Sequence, residues 1–330
     1  MMEVVRMKTI KIGLLGLGNI GTGTYKTLEM NRSEIESTLN AKVEIVKILE
    51  RDTERDRGIT VPKEKFTSDP DEIFQDPEID IVIELLGGIE PATTFMLSAL
   101  KNGKHVVTAN KAALAANYHE LINAAKENNV ILRFEASVGG GIPILGTLTG
   151  PLRANKFEEV MGILNGTTNY ILTMMTKEGL DYETALKDAQ EQGFAEADPT
   201  ADVEGIDAAN KLTILMALMF DKYVAPKDIP TTGITEITKE KIEEARSNGC
   251  KIKLIAHAWR DENDEIKYEV RPMYISATHP LANINKEFNA VFVKGNAVDD
   301  VMFYGKGAGP LPTGSAVLGD VIDISMMILK

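Results

Sequence analysis

One stretch of the chain gathers groups that can move a proton and hold a charged ligand: Glu196, Asp198, Asp202, Glu204, Asp207 and Lys211. Asp198 before Pro199 is a helix-start signal, an N-cap acceptor followed by a residue that needs no N–H of its own. Helical spacing from that point puts Glu204, Asp207 and Lys211 on one side. The run LTILMALMF that follows is apolar, so the helix carries this side towards a core. A lysine at such a junction is partly desolvated beside carboxylates. It can hand a proton to a carbonyl oxygen as hydride reaches the carbon and take it back in reverse, while the carboxylates hold the ammonium of an amino-acid substrate. The same spacing also suits a plain i, i+4 ion pair between Asp207 and Lys211.

Hydride needs a carrier, and the start of the chain offers a place for one. An apolar run at Thr9–Leu15 reads as a buried strand and is followed by Gly16, Leu17, Gly18, Asn19, Ile20 and Gly21, then a helix over 20–30 and a second strand over 42–49. In a dinucleotide site Gly16 makes the tight turn, Gly18 lets the backbone approach a pyrophosphate, and Gly21 permits close helix–strand packing. The pyrophosphate sits on the helix N-terminus, where free N–H groups favour anions. The second strand ends at Leu49, Glu50, Arg51 and Asp52, with Arg55 and Arg57 beyond. Glu50 can face the sheet or a ribose. Arg51 suits a 2′-phosphate, which favours NADP and leaves NAD as the alternative. Two further strand ends carry unusual residues. The strand at 79–84 runs into Gly87 and Gly88, which can pass under a cofactor. The strand at 105–109 runs into Asn110 and Lys111, which puts a lysine where substrate and nicotinamide meet. Lys111 there can bind phosphate or ribose, act as an acid, or serve as an ordinary helix-start lysine.

These segments belong to a larger alternation. Short β-rich runs at 9–15, 42–49, 79–84, 105–109 and 130–135 alternate with helical patterns at 20–30, 91–101 and 112–128. That is the pattern of a doubly wound parallel sheet, whose ligands bind at the carboxyl ends of the strands. The predicted fold class is α/β, with a Rossmann-type N-terminal domain over 1–150 and an α+β catalytic and dimerisation domain over 151–305. The second part has helices at 167–177, 182–192, 199–220 and 239–247, then strands at 251–259, 266–275, 290–298 and 301–304. The C-terminal segment, 306–330, contains an amphipathic helix at 312–329 that returns to the nucleotide-binding domain.

Composition narrows the partners. The 330 residues carry a formal net charge of −13, a field that repels nucleic acid and anionic lipid. The lone cysteine, Cys250, has no internal partner, which fits a reducing cytoplasm, and it reads as a buried, inert thiol at a strand entry. The most apolar helical stretch, 212–220, is too short to span a bilayer. The charged and apolar N-terminus imitates a secretion signal, but its apolar run ends in the glycine loop and reads as the first strand.

The segment from Ala189 to Lys211 resembles the pattern of homoserine dehydrogenases, supplying Ala189, Gly193, Asp198, Pro199, Asp202, Gly205, Asp207 and Lys211 at the family's steps. Asn165 to Tyr170 resembles the family's strand-to-helix motif. Thr108 to Lys111 and the terminal glycines Gly305, Gly307 and Gly309 also look familial. The resemblance implies reversible, nicotinamide-linked reduction of aspartate 4-semialdehyde to homoserine in threonine and methionine biosynthesis. It makes Lys211 the proton donor and Lys111 a second lysine near the cofactor. It gives Glu196 and Asp207, with Asp202, to the substrate, and Gly193 and Gly309 to the cofactor. It also implies a monovalent cation such as sodium held by Glu135, Val138, Gly140 and Ile142, and the second domain's sheet offers a surface for a homodimer. Two departures stand out. The family's usual Gly-Pro-Gly-Ala-Gly has Lys306 in place of proline. The regulatory C-terminal extension of some members is not in this sequence, so end-product inhibition through it is not expected. Two other readings compete. A phosphorylating semialdehyde dehydrogenase or an imine reductase shares the fold, but the first needs a nucleophilic cysteine at a helix start. A non-catalytic nicotinamide sensor would bind cofactor and be indifferent to Lys211.

Overall fold

The computed structural model describes residues 7–330, so the first residues of the signal-like start lie outside the described ones. The chain divides into two compact units, one of residues up to Gly140 together with Gly309–Lys330, the other Gly141–Ala308. The division thus falls ten residues before the expected border at 150, at the glycine run itself.

The first unit opens with β1 (Thr9–Leu15), α1 (Asn19–Met30), α2 (Arg32–Leu39), β2 (Lys42–Leu49), β3 (Phe66–Thr67), α3 (Asp71–Phe74) and β4 (Ile81–Glu84). It continues with α4 (Ala92–Lys101), β5 (His105–Thr108), α5 (Lys111–Ala116), α6 (Tyr118–Glu127) and β6 (Leu132–Arg133). Its strands pair in the order β3-β2-β1-β4-β5-β6, every pair parallel. Ile10, Ile12 and Leu14 of β1 and the whole of β4 are buried, as strands covered on both faces must be. The strand order reverses between β1 and β4, and that is where such a sheet opens a crevice for a ligand. The strand expected over 130–135 is only two residues long, because the chain turns into a 3-10 helix at Glu135–Ser137. The helix expected over 112–128 is two helices parted at Asn117.

The second unit contains α7 (Leu145–Thr149), β7 (Phe157–Ile163), α8 (Gly166–Glu178), α9 (Tyr182–Glu191), α10 (Thr200–Val203), α11 (Ile206–Phe220) and α12 (Lys239–Ser247). Four strands follow: β8 (Cys250–Arg260), β9 (Ile266–Ser276), β10 (Phe288–Gly295) and β11 (Asp299–Lys306). They form an antiparallel sheet with β7, in the order β11-β10-β7-β8-β9. Its central strand, β7, is not among the expected strands. Two helix expectations need correction here. The single helix expected over 199–220 is broken at Gly205, whose φ of 82° no L-residue adopts easily, so Glu204 leaves the helical face that Asp207 and Lys211 share. Asp198 does accept the Thr200 N–H at 3.1 Å, but Pro199 takes the cap position and the helix starts at Thr200. Cys250 opens β8 as expected, yet it is half-exposed rather than buried.

The last helix, α13 (Pro310–Ile328), belongs to the first unit and buries Val317, Leu318, Val321 and Ile324 in the core with Ile10 and Leu28. It crosses α1 closely: a Cβ on Gly23 would lie 2.2 Å from the Pro310 carbonyl oxygen, and one on Gly314 2.8 Å from the Thr24 nitrogen. This helix, not 212–220, is the one among the described residues long and apolar enough to cross a membrane by length and composition, and much of its apolar surface is already buried in the first unit.

Candidate active site

In the first unit the site is made of strand ends. Gly16 follows β1 with φ +91°, a left-handed turn that glycine makes without strain. A Cβ on Gly21 would stand 2.2 Å from the Gly16 carbonyl oxygen, so this glycine is what lets α1 start so tightly against the turn. Gly18 is different: beyond its own chain neighbours nothing lies within 4 Å of where its Cβ would be, and Gly18 and Asn19 are exposed. The space in front of the helix N-terminus is open, and free N–H groups at such a position favour an anion. Leu17 is buried and Ile20 is half-buried.

Glu50, left open by the sequence, turns back to this loop. Its carboxylate accepts the Leu17 N–H at 3.0 Å and the Arg51 N–H at 2.8 Å. Arg57 completes the clasp. Its Nε donates to the Leu17 carbonyl at 2.7 Å and its guanidinium lies 3.3 Å from Glu50, with only 7% of the side chain exposed. The charged tail of β2 is therefore not a solvated loop throughout: Arg57 is built into the glycine turn, whereas Arg51 is exposed.

The ends of β4 and β5 are joined by another buried network. Glu84 is wholly buried, accepts the Leu86 N–H at 2.7 Å and takes the Thr108 hydroxyl at 2.6 Å. Burial pushes its carboxyl above the ordinary range, opposed by those two hydrogen bonds. The Thr108 hydroxyl accepts the Asn110 N–H, the Asn110 amide donates to the Gly88 carbonyl at 2.8 Å, and Asn110 caps α5 by accepting the Ala113 N–H. Gly87 and Lys111 are thus held by one bracket, with Gly87 exposed and Lys111 half-buried at the first position of α5.

In the second unit the site is made of side chains. Lys211 is 8% exposed, and its ammonium donates to Asp207 and to the Leu164 carbonyl, both at 2.6 Å. Asn165, the N-cap of α8, donates through one amide nitrogen to Asp202 at 2.6 Å and to Asp207 at 2.9 Å. The Thr167 hydroxyl lies 3.0 Å from Asp202 and 2.7 Å from the Phe194 carbonyl, which ties the 193–195 turn to the same cluster. Burial raises the Asp202 carboxyl and the nearby Asp207 charge adds to this, while Asn165, Thr167 and Lys211 oppose it. Gly193 is exposed and left-handed, φ 76°, where α9 ends. Glu196 is exposed on the following turn, its carbonyl taken by Gln190. Sequence reasoning misses Asn165 and Thr167 as members of the cluster, although the Asn-Gly-Thr-Thr run after an apolar stretch marks a capped helix start.

The residues expected to hold a cation follow β6. The Glu135 N–H donates to Asp320 at 2.8 Å, and burial, with the Glu135 charge, pushes the Asp320 carboxyl up to about 7. Gly139 and Gly140 are both left-handed, and Val138 and Ile142 are buried. Among the described residues no three His, Cys, Asp or Glu side chains come together as a metal site.

A main-chain cradle for a dinucleotide and a buried source of one proton are the two things a nicotinamide-dependent oxidoreductase must supply for itself. Which one follows from its relatives. Residues 16–135 match the homoserine dehydrogenase NAD-binding domain and residues 143–322 the homoserine dehydrogenase family proper. The chain belongs to the homoserine dehydrogenase family and catalyses nicotinamide-linked interconversion of homoserine and aspartate 4-semialdehyde, a step of amino-acid biosynthesis. It is 45% identical to the homoserine dehydrogenase of Bacillus subtilis over 96% of its own length and 73% of that protein. Among solved structures it is similar to a homoserine dehydrogenase from Thiobacillus denitrificans, with a TM-score of 0.94 and 43% identity over 98% of this chain and 74% of that one. A hyperthermophilic archaeal homoserine dehydrogenase, solved in complex with NADPH, matches at a TM-score of 0.82 and 26% identity over 97% and 98% of the two chains. These findings set aside the sensor and imine reductase readings. The phosphorylating dehydrogenase also lacks its nucleophile, since Cys250 opens an antiparallel strand rather than a helix.

Proposed function

We propose that Lys211 donates the proton of the reduction. The observation that carries this reading is its buried ammonium, held at 2.6 Å by both Asp207 and a main-chain carbonyl. Bound nicotinamide supplies hydride to the aldehyde carbon. The substrate oxygen takes a proton from Lys211 Nζ, leaving a neutral amine hydrogen-bonded to Asp207. In the reverse direction that amine accepts the hydroxyl proton of homoserine. Asp202 and Asp207, sharing Asn165, hold the substrate ammonium together with Glu196 from its exposed turn. Lys111 serves at the cofactor end.

Gly16, Leu17, Gly18, Asn19, Ile20 and Gly21 cradle the pyrophosphate of the cofactor, with Gly87, Gly193 and Gly309 as further main-chain contacts. Arg51 pairs with the 2′-phosphate of NADP. Glu135, Val138, Gly140 and Ile142 hold a monovalent cation such as sodium. One carboxylate with main-chain carbonyls suits a hard cation, and a second carboxyl, buried Asp320, accepts the Glu135 N–H at 2.8 Å beside it. The enzyme works as a cytoplasmic homodimer paired through the sheet of the second unit. The test of the catalytic assignment is Lys211→Ala, assayed with NADPH and aspartate 4-semialdehyde. The expected result is a kcat lower by roughly 10²–10⁴ with the Kd for NADPH retained, the usual range for a lost acid–base group. A variant with wild-type kcat overturns the assignment.

A further inference from the structure

Asn289 is a buried side chain that the proton transfer does not use. It enters β10 paired with Gly305 of β11, one residue before Ala290 pairs with Ile163 of β7. The next residue after Ile163 is Leu164, whose carbonyl takes the Lys211 ammonium. Asn289 is 1% exposed, and among the described residues neither its amide nitrogen nor its amide oxygen has a hydrogen-bond partner. Other buried asparagines nearby behave differently. Asn169 donates to the carbonyls of Ile284, Lys286 and Phe288 and accepts from Lys253, and Asn165 is paired throughout the lysine cluster. An unpaired amide in such a place is less stable than an apolar group of the same shape, so its presence must serve something other than the stability of this state.

Gly307 supplies the second half of the case. A Cβ on Gly307 would lie 2.0 Å from the Asn289 amide nitrogen and 2.6 Å from its oxygen. Gly307 is not among the left-handed glycines, unlike Gly309 at φ +118°, so its missing side chain answers no positive φ. It serves to let this amide lie directly against the main chain of the 305–309 loop. An unpaired buried amide and a glycine whose side chain would collide with it thus meet at one point.

We propose that Asn289 is a positioning residue for the loop. When the nicotinamide cofactor binds, its carboxamide hydrogen-bonds the main chain of residues 307–308 and latches the loop in its working position. This rests on the reading that Gly309 lines the cofactor, and the experiment separates the two. Hydrogen exchange is followed on the peptide covering 304–312, with and without NADPH, in the wild type and in Asn289→Leu, alongside the Tm of each ligand-free protein and the Kd for NADPH. NADPH is expected to protect this peptide in the wild type and not in Asn289→Leu. The Kd is expected to rise about tenfold, the worth of one hydrogen bond made only in the complex. The ligand-free Asn289→Leu protein is expected to keep or raise its Tm, because it has lost an unpaired amide and kept its shape. Asn289→Ser, smaller and still able to donate and accept, is expected to recover part of the affinity, and it carries the test if the leucine variant does not fold. Equal protection in wild type and variants overturns the latch alone. A wild-type loop that NADPH leaves unprotected overturns the Gly309 reading and the latch with it. A Tm that falls with unchanged Kd makes Asn289 purely architectural and overturns the proposal.

Discussion

The glycine loop of the first unit and the lysine cluster of the second are built from different parts of the chain. Around Gly16 and Gly21 the useful groups are main-chain N–H groups at a helix start, and side chains serve to set the backbone: Glu50 and Arg57 clasp Leu17, and Glu84 braces the neighbouring strand ends. Around Lys211 the useful groups are side chains, and the backbone serves them: the Leu164 carbonyl receives the ammonium and the start of α8 presents Asn165 and Thr167. A main-chain site loses function when its shape changes. A side-chain site loses function when one functional group is removed, even if its shape is kept. That is why the largest loss in kcat is expected from Lys211→Ala, and why the first unit should instead fail through cofactor affinity.

Two glycines separate shape from space within the first region. Gly21→Ala puts a methyl 2.2 Å from the Gly16 oxygen, so the turn must move. Both its Tm and its affinity for NADPH should fall, with the Kd rising by a factor of about 10–100. Gly18→Ala meets nothing within 4 Å beyond its own chain neighbours. It should lose affinity to a similar degree while its Tm stays at the wild-type value. Thermal denaturation and cofactor titration check both, and a Gly18→Ala protein that binds NADPH normally would break the comparison, since the open space would then not be the cofactor's.

The two arginines sharpen it further. Arg57→Ala opens the clasp on Leu17. It should weaken NADH and NADPH alike, by roughly three- to tenfold, because a charge-assisted hydrogen bond and an ion pair no longer set the turn. Arg51→Ala removes an exposed charge and should weaken NADPH more than NADH. Titration of both variants with both cofactors is the measurement. An equal effect of Arg51→Ala on the two refutes the 2′-phosphate assignment.

How much of this is legible in the sequence follows the same divide. The glycine turn is local, a strand, a turn and a helix within one short stretch, so the glycine spacing taken with the strand before it and the helix after it makes it legible. Lys211 and Asp207 lie one helical turn apart and are legible for that reason. Glu204 is misplaced by periodicity, which does not see the left-handed break at Gly205. Strand β7 escapes notice because FEEVMGI carries two glutamates early in the run, although the sheet makes it the central strand. Arg57 and Glu84 take meaning only from partners far along the chain, Leu17 and Thr108, which no pattern in their own neighbourhood predicts. Glu84 does leave one trace, an acid closing an otherwise apolar strand.

The smallest expected effect concerns Lys253, which supports the second region without belonging to the lysine cluster. It is 2% exposed on β8 and donates to the Asn169 amide oxygen and the Ile284 carbonyl. Burial pushes its ammonium down to about 7, and Lys251 and Lys177 add to the shift. A neutral amine still has two N–H groups for these two acceptors. Between about pH 7 and the ordinary lysine value near 10.5 the unfolded chain holds a proton that the folded chain has released. Stability therefore rises with pH across that window, by up to about 1.4 kcal/mol per unit, and the advantage is gone below its lower edge. Lys253→Met should remove this slope while leaving kcat nearly unchanged. Denaturant titrations from pH 7 to 10 on both proteins measure it. Parallel stability curves would mean that Lys253 keeps its proton in the folded protein, so that its amide and carbonyl partners offset the burial.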